Sequence, residues 1–428
     1  MIDFGAFSVF FKDEFAIKLT DDEFKLDPEV LKRLGVRLTG QIDFDEDGNT
    51  QVSRLVHHYE SIPSSFASIA FCIVDGSDFH KFPYIRICGC PAKVLQGHNV
   101  FGSDNADLCF FAVLEAFMLA MPELAGYLDW PTTSIDYFDV TYTARVMNDN
   151  NAVQVINMLK NVKSGQTKNR STDDHLTTVT WGKASGRNGK SSRRKQLKAY
   201  MKFPELQNQI RELTKRLRQN KGDAIITEGL NRQLSAIQHP VVQQMAMGAI
   251  RFESRLFGRW LKDRGINTNL FSFINLAIGN PNLMTDLWRD SWKDVFATFE
   301  GASMKLTDHN TVLEALKANY MTVTPKGNPS FSKAESLFAF YCQIESLGYD
   351  KAYRLNNRMK WSRYTRDLSA IGISKAQLQN MTGQHNNVVP LIRLINIDFS
   401  AQLPANWVEP LPLREQIKQR NPLLKLAS

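Results

Sequence analysis

Three side chains at alternate positions, Lys198, Tyr200 and Lys202, set out a piece of chemistry within the stretch Arg193 to Phe203. The stretch has the period of a strand: Leu197, Ala199, Met201 and Phe203 fall on one side, and Gln196, Lys198, Tyr200 and Lys202 on the other. A phenol with a pKa of about 10 is a poor nucleophile at neutral pH. Flanking ammonium groups favour its phenolate and attract a phosphodiester, so the pattern marks Tyr200 as a nucleophile towards DNA. The competing reading is plain: tyrosine is common in strands, and lysines on an open face are usually just solvated. The remainder of the chain decides between them.

Two further strands carry ionisable residues on one side only. Ser134 to Val146 sets Phe138, Val140, Tyr142 and Ala144 against Asp139, Thr141, Thr143 and Arg145, and Met247 to Phe257 sets Ile250 and Phe252 against Arg251, Glu253 and Arg255. A sheet covered by helices on both faces has little reason to repeat this three times, whereas an open face that holds a ligand does. Asp139 and Glu253 are the acids best placed to meet, and two carboxylates with waters suit Mg²⁺ or Mn²⁺, hard ions that stabilise charge on a phosphodiester. Glu253 can instead simply neutralise Arg251 and Arg255. His98, in a two-glycine loop, is a further candidate ligand; no His-x-His pair exists. Between residues 163 and 221 sixteen basic residues face only four acids, a local excess larger than the net charge of +8 for the whole chain. Arg187, Lys190, Arg193, Arg194, Lys195 and Lys198 in that run, with Arg251 and Arg255, are the candidate DNA contacts.

The elements that must position these groups are strands at about 67–74, 84–90, 134–146, 176–183, 193–203 and 247–257. Helices are expected at about 105–121, 149–162, 204–218 and 228–238, the first capped by Ser103 or Asp104. Such a succession argues for an α+β or α/β sheet domain over 1–262. From 263 to 428 the pattern turns helical and rich in Trp and Phe, at about 269–278, 282–299, 307–319 and 330–347. Ser362 to Gln379 has the form helix, glycine turn, short helix, compatible with a helix-turn-helix. Val388 to Phe399 reads as a last strand, and Asp43 to Asn49 as a turn and not a calcium loop, since Arg54 stands where the loop needs glutamate.

With 428 residues, 43% of them hydrophobic, the chain has material for two or three domains with real cores. The five cysteines lack zinc-site spacing and suit a reducing, cytoplasmic setting, with Cys88 and Cys90 as packed thiols. The first residues have no basic leader, and the most apolar run, Leu108 to Met121, is too short to span a bilayer. No Walker A motif is present, so ATP hydrolysis is not expected.

PAKVLQGHNVFG (91–102), DVTYTAR (139–145), SGQTK (164–168), TVTW (178–181), AYMK (199–202), RFESR (251–255), FEGASM (299–304) and NNVVPLIRLINIDFS (386–400) together resemble the replication initiators of filamentous bacteriophages, the gene II protein family. The matches run in order through almost the whole chain. The resemblance implies an α+β fold with an antiparallel-rich sheet of the rolling-circle initiator nuclease type, its crossover helices, and a mainly helical C-terminal region. It implies an enzyme that nicks the viral strand of duplex phage DNA at the origin through a 5′-phosphotyrosine link and later rejoins the displaced strand into a circle. The nucleophile of such enzymes maps onto Tyr200. A more distant likeness to plasmid rolling-circle initiators gives Asp139 and Glu253 metal-holding roles and Lys202 a role at the phosphate. Partners implied are double-stranded origin DNA, single-stranded viral DNA, host helicase and polymerase, and further copies of the chain on the origin, in the host cytoplasm. In that family an internal start can yield the C-terminal piece separately, and Met304 sits at the matching position. The lack of a histidine pair departs from the broader nuclease pattern. A plasmid-type relaxase, a tyrosine recombinase and a non-catalytic origin-binding protein are the alternatives.

Overall fold

Eight segments build a single antiparallel sheet, and those at 134–145, 195–201 and 249–257 set apolar against polar side chains in alternation. The computed structural model describes residues 1–20, 23–34, 38–44, 50–57, 59–62, 69–75, 81–163, 176–182, 192–220, 224–300, 309–381 and 397–420. The sheet strands, in chain order, are β1 (Ile2–Phe10), β2 (Glu60–Ile62), β3 (Ile69–Val74), β4 (Tyr84–Gly89), β5 (Ser134–Arg145), β6 (Thr178–Trp181), β7 (Lys195–Met201) and β8 (Ala249–Phe257). Their spatial order is β6-β7-β8-β5-β1-β4-β3-β2, every pairing antiparallel. The expected α+β class with an antiparallel sheet is present.

One face of the sheet is apolar. Phe138, Val140, Tyr142, Leu197, Ala199, Phe252 and Leu256 are buried there. They pack on helices α2 (Ala106–Ala120), α3 (Asp149–Asn161), α6 (Leu270–Gly279) and α7 (Leu283–Phe296). Asn105, and neither Ser103 nor Asp104, caps α2, its side chain accepting from the Leu108 N–H. Helix α7 lays Trp288, Trp292 and Phe296 on the sheet, and the Trp288 indole donates to the Phe252 carbonyl at 2.9 Å. The other face carries α1 (Pro91–Gln96) and the antiparallel pair α4 (Lys202–Gln219) and α5 (Ala224–Gln238). This face is therefore roofed, where the sequence pattern suggested an open one. Gly97 ends α1 at φ +81°, and a Cβ there would lie 2.9 Å from Ala236, so glycine is what lets α5 close down on this loop.

A second core is formed by α8 (His309–Tyr320), α9 (Ser332–Leu347), α10 (Tyr349–Leu355), α11 (Arg358–Ala370) and α12 (Lys375–Gln379), around Leu316, Leu337, Phe340, Tyr341, Trp361 and Leu368. Helices α6 and α7, which lie beyond residue 262, pack into the sheet's core. Residues 397–420 return to the sheet: Phe399 packs on Tyr142 and Trp288, and the Gln402 amide bonds both the N–H and the C=O of Thr143. Most of the strand expected at 388–399 lies outside the described residues, as do 45–49 and Met304.

Candidate active site

Strand register assembles the polar face. Tyr200 pairs with Arg251, which pairs with Thr143; Lys198 pairs with Glu253, which pairs with Thr141; Gln196 pairs with Arg255, which pairs with Asp139. Neighbours in such rows have side chains about 5 Å apart on a common face. Between this face and the α4–α5 pair lies a cavity of about 390 Å³, lined by Asp3, Asp139, Lys198, Tyr200 and Glu253 from the sheet and by Glu205, Gln209 and Arg216 from α4. That volume is within the range of ligand clefts, roughly 300–1,000 Å³.

Tyr200 is only 4% exposed, yet it stands outside the apolar cluster that takes Leu197, Ala199 and Met201. The Lys198 ammonium sits 4.1 Å from its ring centroid. Burial drives the phenol well above its ordinary pKa, and the Arg251 guanidinium is the leading influence in the other direction. Glu253 has no hydrogen bond or ion pair among the described residues. Burial, followed by the charge of Asp139, pushes its carboxyl up to about 7, with Lys198 opposing. Asp139 is held by Arg255, Nε to Oδ1 at 2.8 Å and Nη2 to Oδ2 at 2.7 Å. Burial still raises its pKa, with Arg255 countering.

Asp3 is a site residue that strand alternation alone does not find. The register of β1 on β5 slips between Ile2 and Phe4, so Asp3 is a bulged extra residue, and both Asp3 and Phe4 line the cavity. Asp3 accepts from Asn99 at 2.9 Å and pairs with Arg251 at 3.5 Å. Burial alone would raise its pKa, but Arg251, Lys202 and the Asn99 bond outweigh it and hold the carboxyl low.

Several expected roles move. Lys202 is the first residue of α4, so the strand alternation stops one residue before it. Its ammonium is buried, bonded to Asn99 Oδ1 at 3.0 Å and Glu205 at 2.5 Å. Burial and Arg251 push it down to about 8. The lysine that the sheet places on the cavity wall is Lys198, not Lys202; Lys93 and Arg216 line it from the helices. His98 does not join the acids: its Nδ1 accepts from the Val100 N–H and its ring packs on Phe101. Burial, then Lys202 and Arg251, hold it down to about 3. Arg251 is interior, donating to the Val100 carbonyl at 2.6 Å, which removes it from any DNA-facing surface. Arg255 clamps Asp139 and stacks over Tyr137. Of the remaining basic candidates, Arg193 is exposed, Arg194 is exposed and pairs with Asp263, and Lys195 is tied to Ser291 and Asp294 of α7. Arg187 and Lys190 lie outside the described residues.

Nor does this packing furnish the expected Mg²⁺ or Mn²⁺ centre. Of the acids that the sheet brings to the cavity, Arg255 occupies both oxygens of Asp139 and Asp3 is engaged by Arg251 and Asn99, which leaves Glu253 uncommitted; Glu205 on α4 is tied to Lys202. Among the described residues no group of three or more His, Cys, Asp or Glu has metal-binding geometry. The donor set does not fit a divalent ion as it stands.

Residues 1–272 match the N-terminal family model of the phage replication-associated protein, the gene II product, and residues 323–412 match its C-terminal model. The chain is 39% identical over 390 residues to the replication-associated protein of Salmonella phage IKe, covering 90% of this chain and 89% of that protein. It is 40% identical over 382 residues to the replication-associated proteins of Enterobacteria phages fd and M13, covering 88% of this chain and 90% of theirs. The chain belongs to the gene II replication-associated protein family. No solved structure matches it. The N-terminal family model spans the whole sheet and every residue on the sheet side of the cavity. The C-terminal family model takes in most of the second core and the returning segment.

Proposed function

We propose that this member of the gene II family initiates rolling-circle replication by nicking the viral strand of duplex phage DNA at its origin, with Tyr200 as the nucleophile. The observation that carries this reading is the placement of Tyr200, Lys198, Glu253 and Asp139 on one cavity wall. The Tyr200 oxygen attacks the backbone phosphorus, the bond from phosphorus to the 3′ oxygen breaks, that oxygen takes a proton from water and leaves as the 3′ hydroxyl, and the 5′ phosphate stays on tyrosine. Glu253, uncommitted and with near-neutral proton affinity, takes the phenol proton. The Lys198 ammonium balances the charge gathering on the phosphoryl oxygens. Asp139, clamped by Arg255, keeps Glu253 protonatable by its negative charge. Because the ester is exchanged and not hydrolysed, a returning 3′ hydroxyl can reverse the step and close the displaced strand without ATP.

The free 3′ end left by the nick is the primer, so a host helicase and polymerase are the partners this chemistry calls for. Among the described residues no helix is long and apolar enough to cross a membrane. The test is Tyr200→Phe. Incubated with labelled supercoiled origin DNA and Mg²⁺, the unaltered chain gives a nicked circle and a labelled tyrosyl peptide after digestion. The variant gives neither and keeps its affinity for the origin duplex. Binding without nicking by the unaltered chain makes it an origin-binding protein and not an enzyme.

A further inference from the structure

Residues 397–420 pack with the sheet and not with the second core, and their contacts converge on one loop. Beyond Val140, where the pairing of β1 with β5 ends, the Gln402 amide takes up the Thr143 N–H and C=O at 2.8 and 3.0 Å. Trp407 then packs on Val100, Phe101, Leu206 and Ile237, where the loop 97–103 meets α4 and α5. Its indole donates to Gln96 Oε1 at 3.4 Å, and Glu409 accepts from the Ser103 hydroxyl. Gln416, on the closing helix α13 (Leu413–Arg420), donates to the Leu95 carbonyl at 3.3 Å, and Leu413 is buried in the sheet's core. An indole N–H can only donate, so Trp407 fixes the Gln96 amide with its nitrogen towards the loop, where it donates to the Phe101 carbonyl at 2.5 Å. The loop so held supplies acceptors that the sheet lacks. The Val100 carbonyl takes Arg251 at 2.6 Å, and Asn99 joins Asp3 at 2.9 Å to Lys202 at 3.0 Å. Arg251 is the cross-strand neighbour of Tyr200 and the leading charge that favours its ionised form. Lifting the loop would strip two buried cations of their acceptors, and the groups around Tyr200 would have to rearrange.

We propose that residues 402–416 are a strap that completes the nicking site, with Trp407, acting through Gln96, as the positioning residue that holds the 97–103 loop on Arg251 and Lys202. This role rests on the reading that Tyr200 nicks DNA. A segment that served stability alone would need to reach only the apolar core, as Leu413 does. Gln416 and Trp407 instead address Leu95 and Gln96 at one end of the loop, and Glu409 addresses Ser103 at the other. The site thereby draws on both family regions: Tyr200 lies within the N-terminal match and Trp407 within the C-terminal one.

The experiment uses the full chain. In Trp407→Ala the amides of residues 97–103 should exchange with deuterium about tenfold faster, while those of β7 keep their rate. With saturating supercoiled origin DNA and Mg²⁺, its single-turnover nicking rate should fall about 10- to 100-fold. The DNA concentration for half-maximal rate should stay that of the unaltered chain. Trp407→Phe keeps the packing of the ring and loses only the N–H, so it tests the link to Gln96 directly, even where Trp407→Ala fails to fold. It should slow nicking, and combined with Gln96→Ala it should be no slower than Gln96→Ala alone. Val408→Ala, beside it and 81% exposed, should nick as the unaltered chain does. Unchanged exchange in the loop, faster exchange with an unchanged nicking rate, equal slowing in Val408→Ala, or effects of Trp407→Phe and Gln96→Ala that multiply overturns the proposal. If the unaltered chain itself fails to nick, the nicking reading falls, and the exchange comparison still judges the strap's hold on the loop.

Discussion

Replacing Glu253 by glutamine should make the protein more stable at high pH and leave it unchanged at low pH. The carboxyl moves from 4.5 in the unfolded chain to about 7 in the folded one, pushed first by burial and then by Asp139. Between those values the folded state binds more protons than the unfolded state, so the contribution of Glu253 to stability falls as pH rises. It is fully present below pH 4.5 and lost above about 7. A shift of that size corresponds to about 3 kcal/mol at about 1.36 kcal/mol per pH unit. Water in the cavity screens part of it, which leaves about 2 kcal/mol to be gained. Urea unfolding of the unaltered chain and Glu253→Gln at half-unit steps from about pH 4 to 8.5, followed by near-UV circular dichroism of the sheet unit, measures the difference. It should be near zero at the acid end and grow through neutrality. A difference that stays flat across this range would show that Glu253 is solvated like a surface acid, and its assignment as the proton acceptor for Tyr200 would fall with it.

Arg255→Met should cost about 3 kcal/mol in unfolding free energy at neutral pH, because it leaves the buried Asp139 carboxylate unpaired, and adding Asp139→Asn should recover most of the loss. Trp181 and Trp292 are equally buried, but the Trp181 indole donates to the Val162 carbonyl at 3.0 Å while that of Trp292 has no partner among the described residues. Trp181→Phe should therefore destabilise by about 1 kcal/mol more than Trp292→Phe in parallel thermal unfolding.

The strands and their faces are legible in the sequence because period-two alternation is a local property: Leu197, Ala199 and Met201 against Lys198 and Tyr200, or Phe138 and Val140 against Asp139. What escapes it is whatever breaks the period or depends on distant packing. Lys202 is misplaced by alternation because Pro204 sits in the first helical turn and the helix starts at Lys202 itself. Asp3 is hidden by a bulge, although an acid at the second position of an apolar strand is a visible oddity. The roof of α4 and α5 is invisible because their amphipathic patterns say that they pack, not on what. The tryptophan stripe of α7 has the same ambiguity, and it resolves onto the sheet and not into a separate helical domain. In α11 and α12 the spacing is right for a helix-turn-helix, and only the burial of α12 shows that it is not an exposed recognition helix.

The electrostatics of the cavity bear on when the tyrosine becomes reactive. Burial and the nearby acids Glu253, Asp3 and Glu205 all oppose a standing phenolate on Tyr200, and Arg251 only partly offsets them. A DNA phosphate entering the cavity adds negative charge and opposes it further. In the proposed reaction a free phenolate is thus not the attacking species at neutral pH; the proton has to leave as phosphorus takes up the oxygen's electron pair. That demands a base beside the phenol whose own proton affinity lies near the working pH. Glu253, poised at about 7, meets the condition, while Asp3, held low, and Asp139, clamped by Arg255, do not. The single-turnover nicking rate should accordingly rise as pH climbs through about 7 and Glu253 loses its proton, and Glu253→Gln should flatten that rise as well as lower the rate. A rate that keeps climbing towards about pH 10, the ordinary range of a phenol, in both proteins would mean that the phenolate forms first, and that the carboxylate beside it has no part in the transfer.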